Sequence, residues 1–188
     1  MVQALFFYRD ANALKPNRPN HIGTCIFIEY GEKILLEHRA DSDTWALIGG
    51  GLKLDERLVE GVIREVFEET GICLKEKDVE FCGIYDDPSR IASYPDGNVL
   101  RVITAVYRVR LTEVPNLICS RESRELRFFT REELRGLNVA ATHIPIVEDY
   151  RGCKKTAFGN AIVTFENRTN ILAQKDKKLY TGNKRTEQ

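Results

Sequence analysis

The 188-residue chain is notable first for what it lacks. Its five cysteines (Cys25, Cys73, Cys82, Cys119, Cys153) are odd in number, scattered, and form no C-x-x-C pair. That spacing excludes a secreted disulfide framework and a paired-ligand zinc site, and three dispersed histidines (His21, His38, His143) do not supply the missing ligands. Reduced thiols in a cytoplasmic protein are the expectation. No apolar run approaches the roughly 18–20 residues of a membrane span. Residues 1–8 reach Arg9-Asp10 too soon for a secretion leader. There is no internal repeat. Net charge is also missing, with 28 Lys+Arg against 28 Asp+Glu, so the whole chain has no bias toward nucleic acid or an anionic membrane. The zero hides an asymmetry. Residues 154–188 carry eight basic side chains against three acidic ones, a net of +5, leaving −5 on residues 1–153.

What is present is a globular composition, 43% apolar and 30% charged, in a length that suits one domain with extensions. Residues 1–20 read as a short strand (residues 2–8) and a linker broken by Pro16 and Pro19. Residues 21–30 and 33–38 are β-rich runs around Gly31, the pattern of a hairpin. Residues 45–48 form a short apolar strand that runs into Gly49-Gly50-Gly51. Over residues 56–70, Leu58, Val62 and Val66 lie on one stripe, with Asp55 as N-cap and Gly71 just past the C-terminus. Strands follow at residues 79–85, 99–111 and 125–129. Thr130 caps a short helix to residue 137, and a last helix covers residues 144–151. Beyond residue 152, residues 161–165 could be a strand and residues 174–188 are polar and lysine-rich. This order indicates a mixed α/β layer fold with one main domain at residues 21–152 and a basic extension at 153–188.

Glu65, Glu68 and Glu69 stand at i, i+3 and i+4 and share a helix face. Alone, such a cluster reads as a solvated acidic face; a hard divalent cation would equally offset it. The surroundings decide. Gly50 is followed after five residues by Glu56, after seven more by Arg64, and then by Glu65-Val66-Phe67-Glu68-Glu69-Thr70-Gly71-Ile72. The run matches G-x5-E-x7-R-E-U-x-E-E-x-G-U, where U is bulky and aliphatic, and a chance match is on the order of one in ten million. The chain therefore resembles the Nudix hydrolases. Trp45-Ala46-Leu47-Ile48-Gly49-Gly50 is similar to that family's lead-in W-x-L-P-G-G, with Ile48 in place of the proline.

The resemblance implies an α/β/α sandwich (α+β) around a central mixed sheet, and metal-dependent hydrolysis of a nucleoside diphosphate linked to X. It implies Mg²⁺ or Mn²⁺ held by Glu65, Glu68, Glu69 and a backbone carbonyl at Gly49, with Glu65 or Glu68 as the proton acceptor. Glu56, Arg64, Gly50 and Gly71 are implied as structural support. Some members of the family take the base from another loop, which makes Glu122 and Glu125 candidates beside a plain surface role. Arg39 and Arg90 are candidates for phosphate contacts and Tyr85 or Tyr94 for stacking on a base; ordinary packing explains each equally well. Pro88, sixteen residues after Ile72, is where members that cleave ADP-ribose tend to carry a proline, and ADP-ribose or a nucleotide sugar is the favoured substrate. The rival from another class is a non-catalytic Nudix-like nucleotide sensor, but such modules lose box glutamates and this chain keeps each one. The +5 tail, without aromatic interleaving, reads as a solvated end or a homodimer contact rather than a nucleic-acid arm.

Overall fold

The structure, a computed structural model, describes residues 3–152. The basic extension at 153–188, the strand expected at 161–165 and the lysine-rich end at 174–188 lie outside the described residues. Eight strands build one mixed sheet: β1 (Leu5–Phe7), β2 (His21–Tyr30), β3 (Lys33–Arg39), β4 (Trp45–Gly51), β5 (Glu80–Tyr85), β6 (Ile91–Ser93), β7 (Val99–Leu111) and β8 (Ser123–Thr130). The order is β1-β6-β7-β2-β4-β3-β8, and β5 also pairs with β7. Two helices pack on it, α1 (Leu58–Thr70) and α2 (Ile144–Gly152).

The expected hairpin forms, with Tyr30 opposite Lys33 and Gly31 at φ +58 in the turn. It then splays, because β4 enters between its arms and pairs with both β2 and β3. On its other side β2 runs parallel to β7 over ten register pairs, from His21↔Val102 to Tyr30↔Leu111. Alternation along β2 explains the layers. Ile26 and Ile28 face Val62 and Val66 of α1, while Cys25 and Phe27 face Ile146, Val147 and Tyr150 of α2. Each aliphatic side chain so buried contributes about 1.5–3 kcal/mol. The Phe27 and Tyr150 rings stack at 5.0 Å.

Three local expectations are corrected. The main helix starts at Leu58 rather than residue 56, with Arg57 as N-cap; the Glu60 carboxylate accepts the Arg57 amide at 2.9 Å, and Asp55 does not cap it. The helix expected after Thr130 is a single 3₁₀ turn, Glu133–Gly136, held by Thr130 N–H to Glu133 at 2.8 Å. The loop before β7 contains a strand the sequence did not announce, β6, and the N-terminal strand β1 docks on it. Gly71 ends α1 as expected, at φ +75 with its amide donating to the Phe67 carbonyl.

Among the described residues no helix is long and apolar enough to cross a membrane.

Candidate active site

Strand β4 delivers its glycines against α1, and their lack of side chains is a steric need. A Cβ on Gly49, which sits at φ +151, would lie 2.1 Å from the Thr24 carbonyl oxygen. One on Gly50 would lie 2.6 Å from Glu65 Oε1. Both are closer than atoms can approach. The space instead admits carboxylates: the Gly49 amide donates to Glu69 Oε2 at 3.1 Å.

Arg64 organises the helix face. Its Nε and Nη2 grip both oxygens of Glu56, the latter at 3.0 Å. Its Nη1 donates to Glu65 Oε1 at 2.7 Å and Glu68 Oε2 at 2.9 Å, and Nη2 also reaches the Gly51 carbonyl at 3.0 Å. One guanidinium thus ties the glycine run, the loop and two box glutamates together, a use that its planar fork suits. The hydrogen bond from Arg64 holds the Glu56 carboxyl down at about 2. The stabilisation Glu56 draws from this pair is present above the ordinary carboxylate range and is lost as pH falls toward that value. Glu56→Gln should lower the melting temperature and loosen cation binding, with a smaller fall in kcat than Glu68→Gln. Unchanged stability with an equal fall in kcat would place Glu56 among the reacting groups.

Below this surface lies a carboxylate that sequence reasoning missed. Glu37, on β3, is 1% exposed; Ser123 Oγ donates to it at 2.5 Å and Arg39 Nη1 at 3.4 Å. Its one legible signal was a lone acid after the apolar run Ile34-Leu35-Leu36. Burial, and then the neighbouring Glu37 charge, push the Glu69 carboxyl up to about 9. Burial also raises Glu65 and Glu37, opposed in each by an arginine. Like charges gathered out of water are costly until a cation joins them. Glu68, half exposed, has Lys53 Nζ at 3.8 Å, a second basic group that the sequence reading did not pair with it.

Among the described residues, no three His, Cys, Asp or Glu side chains stand as a ready-made metal cage, and Glu65 and Glu68 are turned to Arg64. The donor chemistry nonetheless fits a hard divalent ion: the ligand atoms are all oxygens, and burial, then neighbouring carboxylates, makes the charges of Glu65 and Glu69 costly without a cation.

The weaker candidates separate. Arg90 takes the packing alternative: it is fully buried, and its donors go to the Thr142 carbonyl at 2.9 Å, the Tyr85 carbonyl, the Val102 carbonyl at 3.3 Å and Thr104 Oγ1 at 2.9 Å. It braces strands rather than presenting a charge to phosphate. Arg39 lines a cleft beside Gly49 and Gly50, yet its guanidinium is met by Asp41 at 2.8 and 2.6 Å. The Tyr85 hydroxyl donates to Asp149 at 2.7 Å on the wall of a larger cleft of about 320 Å³. Glu122 is exposed, its charge felt by Glu65 and Glu37. Glu125 is also exposed, opposite His38 in the β3–β8 register.

Comparison with known proteins gives a consistent picture. Residues 19–150 match the family model described as NUDIX domain. A MutT-like protein of Streptomyces ambofaciens is 50% identical over 58 residues, 31% of this chain and 36% of its own length. An ADP-ribose pyrophosphatase of Methanocaldococcus jannaschii is 32% identical over 126 residues, 65% of this chain and 68% of the relative. The chain thus spans about a third of the first of these curated relatives. Among solved structures, the MutT protein of Methanosarcina mazei Go1 superposes with a TM-score of 0.58 at 25% identity, over 74% of this chain and 100% of that one.

Proposed function

The chain belongs to the Nudix family, and from that premise we propose that it is a metal-dependent pyrophosphohydrolase acting on a nucleoside diphosphate linked to X, with ADP-ribose or a nucleotide sugar as the favoured class. The observation that carries the reading is the gathering of buried Glu37 and Glu69 with half-buried Glu65 beside the glycine strand, where Glu65 is met by Arg64 at 2.7 Å, Glu37 by Arg39 at 3.4 Å, and Glu69 by the Gly49 amide. The substrate class draws support from the name of the M. jannaschii relative, an ADP-ribose pyrophosphatase.

In this reading Glu65, Glu68 and Glu69, with the Gly49 carbonyl, hold Mg²⁺ or Mn²⁺. The bound ion supplies charge neutralisation at the diphosphate and a more acidic attacking water. The protein's own residues do the rest. Arg64 orients Glu65 and Glu68 from the Glu56 side. Glu65 or Glu68 accepts the proton, Glu65 with its carboxyl raised by partial burial toward a useful basicity. Lys53 stands at the outer edge, 3.8 Å from Glu68, where a phosphate oxygen can meet it. Residues 21–152 form the catalytic domain, residues 1–20 an arm, and 153–188 a basic extension. The protein works in the cytoplasm on a small nucleotide, without a membrane or nucleic-acid partner, and the tail is available for a homodimer contact.

The purified protein, offered a panel of nucleotides and nucleotide sugars with Mg²⁺, should release phosphate-containing products from one class. EDTA should abolish turnover and added Mg²⁺ or Mn²⁺ restore it. Turnover that survives thorough chelation would remove the metal from the mechanism.

A further inference from the structure

The floor beneath the carboxylate face holds a hydroxyl with nothing to bond. Thr24, on β2, is 3% exposed, and its Oγ1 is buried without a hydrogen-bond partner among the described residues. A polar atom buried in this way lowers stability. Valine, of the same branched shape, would suit the strand and the space without that penalty. In the metal-free fold a threonine is therefore the poorer choice, and its hydroxyl needs a use in some other state of the protein.

Three relations place this hydroxyl beside Glu65. Alternation along β2 turns Thr24 to the side of Ile26 and Ile28, which α1 covers. Its antiparallel partner on β4 is Gly50, and such partners hold their Cβ positions about 4.5–5.5 Å apart on one face. The Cβ position of Gly50 is itself 2.6 Å from Glu65 Oε1 and 2.9 Å from Oε2. From the helix side, Thr24 Oγ1 lies 3.9 Å from the Cβ position of Gly61, one turn before Glu65 on the same face of α1. The hydroxyl thus stands between the glycine strand and the turn that carries Glu65.

Of the two carboxylates near Gly61 and Gly50, Glu56 has both oxygens committed, to Arg64 and to the Lys53 amide. Glu65 has one oxygen on Arg64 Nη1 at 2.7 Å, and its other oxygen receives no donor among the described residues. Arg64 Nη1 is shared with Glu68, so its hold on Glu65 is divided. We infer that Thr24 is a positioning residue for Glu65: when the Glu65 carboxylate turns from Arg64 toward a divalent ion, the Thr24 hydroxyl donates to the oxygen that faces the sheet and keeps the carboxylate in place. A ligating carboxylate is itself hydrogen-bonded from behind, and a hydroxyl on a carboxylate is a charge-assisted bond. The inference rests on the metal-dependent reading for the ion, and ion binding rather than turnover tests it.

Calorimetry of Mg²⁺ binding and melting of the metal-free full chain, compared among wild type, Thr24→Val and Thr24→Ser, separate a positioning hydroxyl from a structural one. Thr24→Val should raise the metal-free melting temperature by about 2–4 °C. It should at the same time weaken Mg²⁺ binding by about tenfold or more. Thr24→Ser keeps the hydroxyl and loses the packed methyl, so it should lower the melting temperature and bind Mg²⁺ as the wild type does. Stability and affinity thus part company in both variants, which a general loosening of the fold does not produce. A lower melting temperature in Thr24→Val means that the hydroxyl is already bonded in the metal-free fold, and overturns the inference. So does Mg²⁺ binding that Thr24→Val leaves unchanged, or that Thr24→Ser weakens as much as Thr24→Val. Each of those outcomes leaves the metal-dependent reading standing, whereas a wild type that binds no Mg²⁺ overturns both.

Discussion

Glu69→Gln and Glu68→Gln should each lower kcat by about 10²–10⁴-fold, yet move the stability of the metal-free protein differently. Both remove a charged ligand and weaken neutralisation at the diphosphate. Glu69, however, is 5% exposed and its carboxyl is pushed up to about 9 by burial and by Glu37, whereas Glu68 is half exposed. A group whose folded pKa lies above its unfolded value keeps its proton in the fold after the unfolded chain has released it. The metal-free protein therefore loses stability as pH rises from about 4.5 to about 9, by at most about 1.4 kcal/mol per pH unit. Glutamine at 69 is neutral at every pH and keeps a carbonyl oxygen for the Gly49 amide. It should raise the metal-free melting temperature at pH 8 and flatten its alkaline slope. Glutamine at 68 loses a surface ion pair with Arg64 and should change stability little. Added Mg²⁺ should raise the melting temperature of the wild type more than that of either variant. Near-wild-type rates with normal metal affinity in both variants would mean that the site is elsewhere.

How much of this was legible depends on the range of the interactions. Arg64, Glu65, Glu68 and Glu69 lie within six residues of one helix, so periodicity alone puts them together, while Glu56 reaches Arg64 from the turn before the helix begins. Gly71 was legible because a left-handed helix end has few other solutions. The start of α1 was not, since two acids competed for the cap. Glu56 serves Arg64 and the Lys53 amide at 3.1 Å, leaving Glu60 to satisfy Arg57. Glu37 escaped because it arrives by strand pairing across a long sequence distance, opposite Leu126. Arg90 stayed open between a phosphate contact and packing for the same reason. An arginine after Asp87-Pro88-Ser89 resembles a surface turn residue, and only the packing of residues 142, 102 and 85 around it makes it a buried brace.

Arg90→Met should accordingly act on folding, lowering stability by roughly 3–5 kcal/mol at pH 7, since the carbonyls and hydroxyl that now accept from it would be left buried and unpaired. For a chain of this size that corresponds to a fall of about 10 °C in melting temperature. The same substitution should change the acid limb of the stability curve through His143. His143 is half buried, its Nδ1 accepts the Leu47 amide at 3.1 Å, and desolvation of its packed ring, then the charges of Arg90 and Arg39, bring its pKa down to about 3. A histidine depressed in this way stays neutral in the fold while the unfolded chain takes up a proton. Stability is therefore complete above about pH 6.5 and declines as pH falls toward 3, by at most about 1.4 kcal/mol per pH unit. With Arg90 gone, His143 protonates more readily in the fold, so the variant, though weaker at pH 7, should show the shallower acid slope. Denaturant melts of both proteins from pH 4 to 8 measure the two effects together. A variant that melts within a degree or two of wild type but needs tenfold more substrate would instead make Arg90 a phosphate ligand, and the role assigned to it as a brace would be wrong.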